Sequence, residues 1–213
     1  LERYSSFFTE GIVNTLIIAA FAVLLGTVFG TLMATLRMCR IPPLRWLAVA
    51  YIEFIRGTPL MLQIFAIYFA IPTLTGVNLD RMNATILAFS INYAAYFAEI
   101  FRGGIMAVDQ GQFEAGRSMG FNYVQTMIYI VVPQMFKNCL PALCNEFISL
   151  LKETSVAGYV GIMDLTKAGD LIRGRTFSAF MPLIAVALIY LLIVIILTRL
   201  VALLEKKLRR SER

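Results

Sequence analysis

Five stretches of this chain contain no aspartate, glutamate, lysine or arginine: residues 11–36, 57–79, 82–98, 118–136 and 176–198. Most are long enough for a helix to cross the ~30 Å hydrocarbon layer, which takes roughly 20 residues at 1.5 Å each. A soluble bundle of buried helices is the competing reading. Only 15% of the 213 residues are charged, against about 25% in an ordinary soluble domain, whose surface must be wetted. The missing charge is also absent in blocks. The sequence therefore predicts an all-α integral membrane protein of about five transmembrane helices, spanning 11–36, 57–76, 82–104, 126–150 and 178–200.

Five crossings put the two ends on opposite sides, so basic residues can choose the orientation. With the N-terminus outside and the C-terminus cytoplasmic, the inner segments carry Arg37, Arg40, Arg45, Arg56, Arg102, Arg117, Arg199, Lys206, Lys207, Arg209, Arg210 and Arg213. The outer segments carry half as many: Arg3, Arg81, Lys152, Lys167, Arg173 and Arg175. Residues 1–10 lack a basic start followed by a small-residue cleavage site, so the first span is expected to serve as the membrane address. Residues 41–56, opened by Pro42 and Pro43 and carrying Trp46 and Tyr51, read as an interfacial helix at headgroup depth on the cytoplasmic side. One transmembrane domain fills 1–213, with two long connections, a cytoplasmic one at 103–125 and an outer one at 152–177. Long connections are where function concentrates.

Composition removes several chemistries. The chain has no histidine, and Cys39, Cys139 and Cys144 are scattered, which argues against zinc sites and Ser-His catalysis. The net charge of +6 sits at span ends, as orientation signals do, so nucleic acid is not an expected partner.

Ionisable groups at membrane depth face a bundle interior or a wet cavity. On the third span Asn92, Tyr96 and Glu99 follow i, i+4, i+7 and share one helix face. On the fourth, Asn145, Ser149 and Lys152 repeat that spacing, and Glu146, Ser149 and Glu153 overlap them into a polar stripe opposite Phe147, Leu150 and Leu151. One reading is a solute path whose substrate-binding residues are Asn92, Tyr96, Glu146, Ser149, Lys152 and Glu153. The other is interhelical hydrogen bonding, with Lys152 snorkelling and paired to a carboxylate. Glu99 is close enough to the cytoplasmic end to pair with Arg102. Gly26-x-x-x-Gly30 on the first span permits close helix packing.

Residues 112–133 read QFEAGRSMGFNYVQTMIYIVVP. This resembles the EAA loop of the permeases of ATP-binding-cassette importers: E-A-A, three residues, Gly, nine residues, then I-x-L-P. Glu114, Ala115 and Gly116 stand for E-A-A, Gly120 for the glycine, and Ile130, Val132 and Pro133 for the end. Gly116 departs from the second alanine and Val132 from the leucine. EFIRGTPLMLQ (53–63), NYAAYFAEIFRGGI (92–105) and LKETSV (151–156) resemble the polar amino-acid branch of the same family, the histidine, glutamine and arginine type. The resemblance runs from about residue 11 to the last span.

The resemblance implies a type I importer permease in the bacterial inner membrane, a non-catalytic transport subunit for a polar amino acid; Glu153, on the polar face of the fourth span near the outer half of the membrane, points to a basic one. It implies a second permease subunit, identical or not, an extracytoplasmic solute-binding protein, and a separate ATPase that carries ATP and Mg. Coupling to that ATPase would run through 112–125, with Glu114, Ala115, Gly116 and Gly120 at the contact. The chain itself needs no cofactor; lipid surrounds it. GQFEAGRS (111–118) mimics a phosphate-binding loop, but arginine replaces the required lysine and no strand precedes it, so ATP hydrolysis is not expected of this chain. The alternative is an ion channel or proton-coupled carrier using Glu146 and Glu153.

Overall fold

The computed structural model describes residues 4–178 and 180–210, with side chains as far as Lys206. Arg3 and Arg213, used in the charge comparison, lie outside the described residues, as do the side chains of Lys207, Arg209 and Arg210. Ten α-helices follow one another, among the described residues without a strand: α1 Ser5–Arg37, α2 Pro42–Gly57, α3 Leu60–Phe65, α4 Ile71–Thr75, α5 Arg81–Met106, α6 Gln110–Ser118, α7 Tyr123–Thr126, α8 Val132–Glu153, α9 Leu165–Thr176 and α10 Phe180–Arg210.

Small residues at helical spacing decide which face of α1 is inward. Gly11, Thr15, Ala19, Ala22, Gly26, Gly30 and Ala34 are buried, while Leu24 and Val28 point outward to lipid. A Cβ at Gly26 would lie 3.4 Å from the Tyr93 Cβ, and one at Gly30 would lie 2.8 Å from the Phe97 Cβ. Increasing numbers on α1 thus meet increasing numbers on α5, so the two helices are parallel neighbours. Parallel neighbours need a return crossing between them. The intervening chain supplies one as α2 and the α3–α4 segment, which meet at a bend of 107°. With the long apolar helices α1, α5, α7–α8 and α10, this makes five crossings.

The bend is built from Gly57, Thr58 and Pro59, where Thr58 and Pro59 are extended. Proline disfavours a helical residue before it, so α2 must stop. The carbonyls freed by the break are satisfied inside the protein. The buried Gln63 amide donates to the Ile55 carbonyl at 2.8 Å and to the Thr58 carbonyl at 3.2 Å. The structure here differs from the interfacial placement of 41–56. Trp46 is 70% exposed, but the Tyr51 hydroxyl donates to the Ile91 carbonyl near the middle of α5 at 2.6 Å, and Ile52 and Ile55 are buried. Helix α2 is the first half of a crossing. An amphipathic helix has one apolar face in either setting, so periodicity alone does not separate them.

Two turns are π-helical, Ala66–Ala70 between α3 and α4 and Met127–Val131 between α7 and α8. Each ends two residues before a proline, Pro72 or Pro133. A proline ring collides with the carbonyl four residues back and offers no N–H to it. The wider turn moves that carbonyl aside, and the Ile71 and Val132 N–H groups reach five residues back, to Ala66 and Met127.

Beyond α8, a 3₁₀ segment, Thr154–Val160, leads to α9 on the outer side. Asp164, fully buried, caps α9 by accepting from the Thr166 N–H at 2.8 Å and the Lys167 N–H at 3.3 Å. Burial pushes its carboxyl above the usual carboxylate range, and those N–H donors offset only part of the shift. Asp164 borders an open cavity of about 400 Å³ with Ser155, Lys167, Asp170 and Arg173.

Candidate functional site

Helix α8 presents the polar stripe as the sequence predicts. Asn145, Lys152 and Glu153 are exposed and Glu146 and Ser149 half-buried, while Leu150 and Leu151 face the core. Met135 and Cys139 lie against Gly104 of α5 and Glu153 against Tyr93, so α8 runs antiparallel to α5 and brings the stripe beside Tyr93 and Tyr96.

Two tyrosines organise the charges. Tyr93, 1% exposed, donates its hydroxyl to Glu153 Oε2 at 2.9 Å. Its ring lies 6.0 Å, centroid to centroid, from that of half-exposed Tyr96. The Arg56 guanidinium, arriving from the last turn of α2, sits over the Tyr96 ring at 5.3 Å, a favourable cation–π placement. Glu146 lies within electrostatic reach of both Glu153 and Arg56. Tyr96, Glu146, Ser149 and Glu153 thus belong to one open polar face, to which tertiary structure adds Arg56 and Tyr93.

Asn92 and Glu99 do not join it. Asn92, 3% exposed, gives its amide to Gln63 at 3.0 Å and braces the break in the second crossing. Glu99 is held by Arg37 of α1 and by Arg102, whose Nη2 is 3.1 Å away. Lys152 is exposed, and Glu153 takes its hydrogen bond from Tyr93; none of the ion pairs among the described residues joins the two. Arg56 lies in the EFIRGTPLMLQ stretch, yet its approach to Tyr96 depends on the bend at Thr58–Pro59, which single-helix periodicity does not reveal. Among the described residues no group of three His, Cys, Asp or Glu could hold a metal ion.

The second region is the connection after α5. Asp109 caps α6 through its bond from the Gly111 N–H. Gly120, at φ +83°, closes it with the Gly120 N–H on the Arg117 carbonyl and the Phe121 N–H on the Gly116 carbonyl. That paired closure needs a left-handed residue, which glycine adopts without a Cβ penalty. The close approach in this loop occurs at Gly116. A Cβ there would stand 2.9 Å from both Cγ2 and Oγ1 of Thr126 and 3.0 Å from Ile130 Cδ1. The departure from the second alanine of the EAA pattern thus has a local cause: α6 lies directly on α7 and the π turn behind it. Gln134 Nε2 ties α8 back to Gln112 Oε1 at 3.2 Å. Glu114, Ala115, Arg117, Met119, Tyr123 and Val124 remain exposed on the free side.

The family model of the binding-protein-dependent transport system inner membrane component matches residues 7–210. The chain is 40% identical to the probable glutamine ABC transporter permease GlnM of Bacillus subtilis, over 97% of this chain and 95% of the relative. It is 36% identical to the arginine transport system permease ArtQ of the same organism, over 97% and 94%. Among solved structures, a chain of an amino acid ABC transporter with histidines superposes with a TM-score of 0.91 at 40% identity, covering 96% of this chain and 95% of that one. A chain of the MetNI methionine ABC transporter gives a TM-score of 0.82 at 18% identity, covering 98% and 99%, which shows the fold alone.

Proposed function

From the premise that this chain belongs to the binding-protein-dependent transport system inner membrane components, we propose that it is the membrane-spanning subunit of an ATP-driven importer of polar amino acids, preferentially cationic ones. It is a multi-pass membrane subunit of a transport system, not a catalyst. The relatives named for glutamine and arginine support amino-acid cargo and leave the ion-channel alternative without support.

The observation that carries the reading is the open polar face of Arg56, Tyr96, Glu146, Ser149 and Glu153 along α2, α5 and α8. A charged residue at the bilayer centre costs about 2.5–3.5 kcal/mol on insertion scales, so this face does not belong in lipid. A second permease subunit covers it, and the seam between the two is the solute path. Glu153, presented by Tyr93, is the counter-charge for a cationic side chain. The exposed side of α6, with Glu114, Ala115 and Arg117, docks on the ATPase, which holds ATP and Mg, and a solute-binding protein delivers cargo to the outer face. Gly116 and Gly120 shape that docking helix from within.

ATP-dependent uptake of arginine, lysine, histidine and glutamine by the reconstituted complex, with binding protein present, tests the reading. Removing a close counter-charge from a desolvated site typically costs about 2–5 kcal/mol, or roughly 30-fold and more. Glu153→Gln is expected to lose arginine and lysine selectively while keeping glutamine. Equal losses for all four cargoes would leave Glu153 a structural residue, and no uptake of any of them would overturn the amino-acid assignment.

A further inference from the structure

Arg56 is an exposed cation at membrane depth, close to the break in the second crossing. Its guanidinium lies on the face of Tyr96, and no carboxylate among the described residues forms an ion pair with it. A charge left at that depth faces a wet cavity or awaits a partner. Its planar fork matches a carboxylate with two parallel hydrogen bonds. One turn away on α5, Tyr93 holds an opposite charge, Glu153, by a single hydrogen bond that leaves the other carboxylate oxygen free to accept. Tyr93 itself packs against α1, with its Cβ facing Gly26.

We propose that Arg56 binds the α-carboxylate of the transported amino acid, and that Tyr93 and Tyr96 are positioning residues which present Glu153 and Arg56 to opposite charges of one molecule. The inference rests on the amino-acid reading above. The signs of the three groups that these contacts join support it: Arg56, Glu146 and Glu153 are the complement of a lysine or arginine, which carries one carboxylate and two cations, and exposed Glu53, one turn before Arg56 on α2, adds to the negative charge. Glu146 and Glu153 are seven residues apart, about 10.5 Å of helix rise, which is comparable with the length of an extended basic amino acid. Glu146 therefore faces the α-ammonium and Glu153 the side-chain cation. Lys152, adjacent to Glu153 in sequence, is not needed.

Agmatine, which is arginine without its carboxylate, isolates the Arg56 contact. Binding of labelled arginine to the permease–ATPase complex in nanodiscs, without binding protein, is competed with arginine, agmatine and glutamine. The wild type is expected to prefer arginine over agmatine by roughly 30-fold. Arg56→Met brings that ratio close to one, and Arg56→Lys keeps part of it because the charge remains without the fork. Tyr96→Leu lowers the ratio, and Tyr96→Phe, which retains the ring, does not. Tyr93→Phe weakens arginine and agmatine together and lowers the arginine-to-glutamine ratio, a change that a purely structural role would not produce.

An arginine-to-agmatine ratio that survives Arg56→Met, or Arg56→Gln should the methionine variant fail to assemble with the ATPase, overturns the carboxylate assignment. The cationic reading would then still stand on the arginine-to-glutamine ratio. An unchanged arginine-to-glutamine ratio in Tyr93→Phe overturns its positioning role. A wild-type complex that binds none of the three removes the inference together with the reading beneath it.

Discussion

Gly116→Ala adds a single methyl group to α6, and its consequence can be worked out from the distances. The new Cβ would stand 2.9 Å from two atoms of Thr126 and 3.0 Å from Ile130 Cδ1, whereas ordinary carbon contacts lie at about 3.5–4.0 Å. Relief requires a displacement of about 0.6–1 Å. Ile130 can swing its terminal methyl. Thr126 has little freedom: it is 2% exposed, β-branched, and its hydroxyl donates to the Asn122 carbonyl at 3.0 Å. Helix α6 must therefore lift away from α7. Overpacking of this kind costs about 1–3 kcal/mol, while alanine gains about 1 kcal/mol over glycine in helix propensity. The net penalty is about 0–2 kcal/mol, centred near 1 kcal/mol, or roughly fivefold in ATPase association through the seated helix. The assay is ATPase affinity for the permease in nanodiscs, with arginine transported per ATP measured alongside. Thr126→Ala removes both colliding atoms, so Gly116→Ala combined with Thr126→Ala should recover affinity relative to Thr126→Ala alone. A Gly116→Ala protein with unchanged affinity and coupling, or a defect that Thr126→Ala does not relieve, would refute the argument.

Further outcomes follow from other sites. Gly30→Ala should destabilise the α1–α5 pair by about 1–3 kcal/mol, because its Cβ meets the Phe97 Cβ at 2.8 Å and the Ala94 carbonyl oxygen at 3.0 Å; Gly26→Ala, at 3.4 Å, should be near neutral, and thermal size-exclusion profiles compare them. Gln63→Leu strands the Asn92 amide inside the bundle and leaves the Ile55 carbonyl only the longer bonds from Thr58, and should cost about 1–3 kcal/mol, read as a lower melting temperature. Asp164→Asn keeps the α9 cap but removes a carboxyl whose value is raised on folding. Such a group favours the fold most below its unfolded value near about 4 and loses that contribution as pH rises through the folded value. The variant should therefore melt above wild type at neutral pH, with the gap closing toward acid; a gap independent of pH would contradict the assignment.

How far the sequence reaches depends on what kind of neighbour a residue has. Charge-free blocks reveal crossings because the hydrocarbon layer acts on every residue alike, and the i, i+7 spacing of Glu146 and Glu153 reveals a face because both lie on one helix. Asn92 shares its spacing with Tyr96, yet its role was decided by Gln63, 29 residues away across the break. Glu99 was legible in part: Arg102, one turn on, was foreseeable, and Arg37 from α1 was not. Lys152 forms no ion pair with Glu153, because residues adjacent on a helix point about 100° apart. In a bundle, hydrogen bonds between helices assign the polar groups, and helical period carries no information about the neighbouring helix. In the sequence Gly116 is no more than a departure from a pattern, since the atoms that exclude a methyl there belong to α7 and the π turn behind it.

The π turn at Met127–Val131 also acts as an angular setting for everything that follows it. An α-helix advances about 100° per residue, and a π turn absorbs one extra residue in a single loop of backbone. Helix α8 therefore leaves this turn rotated by about one residue's worth relative to a continuous helix begun at Tyr123. Glu146 and Glu153 look toward Tyr93 and Arg56 because of that offset. A one-residue deletion between 127 and 131 would let the π turn close as an α turn and leave both carboxylates on the polar face, whereas a one-residue deletion between 134 and 145, with composition and hydropathy almost untouched, would swing both about a quarter turn off it.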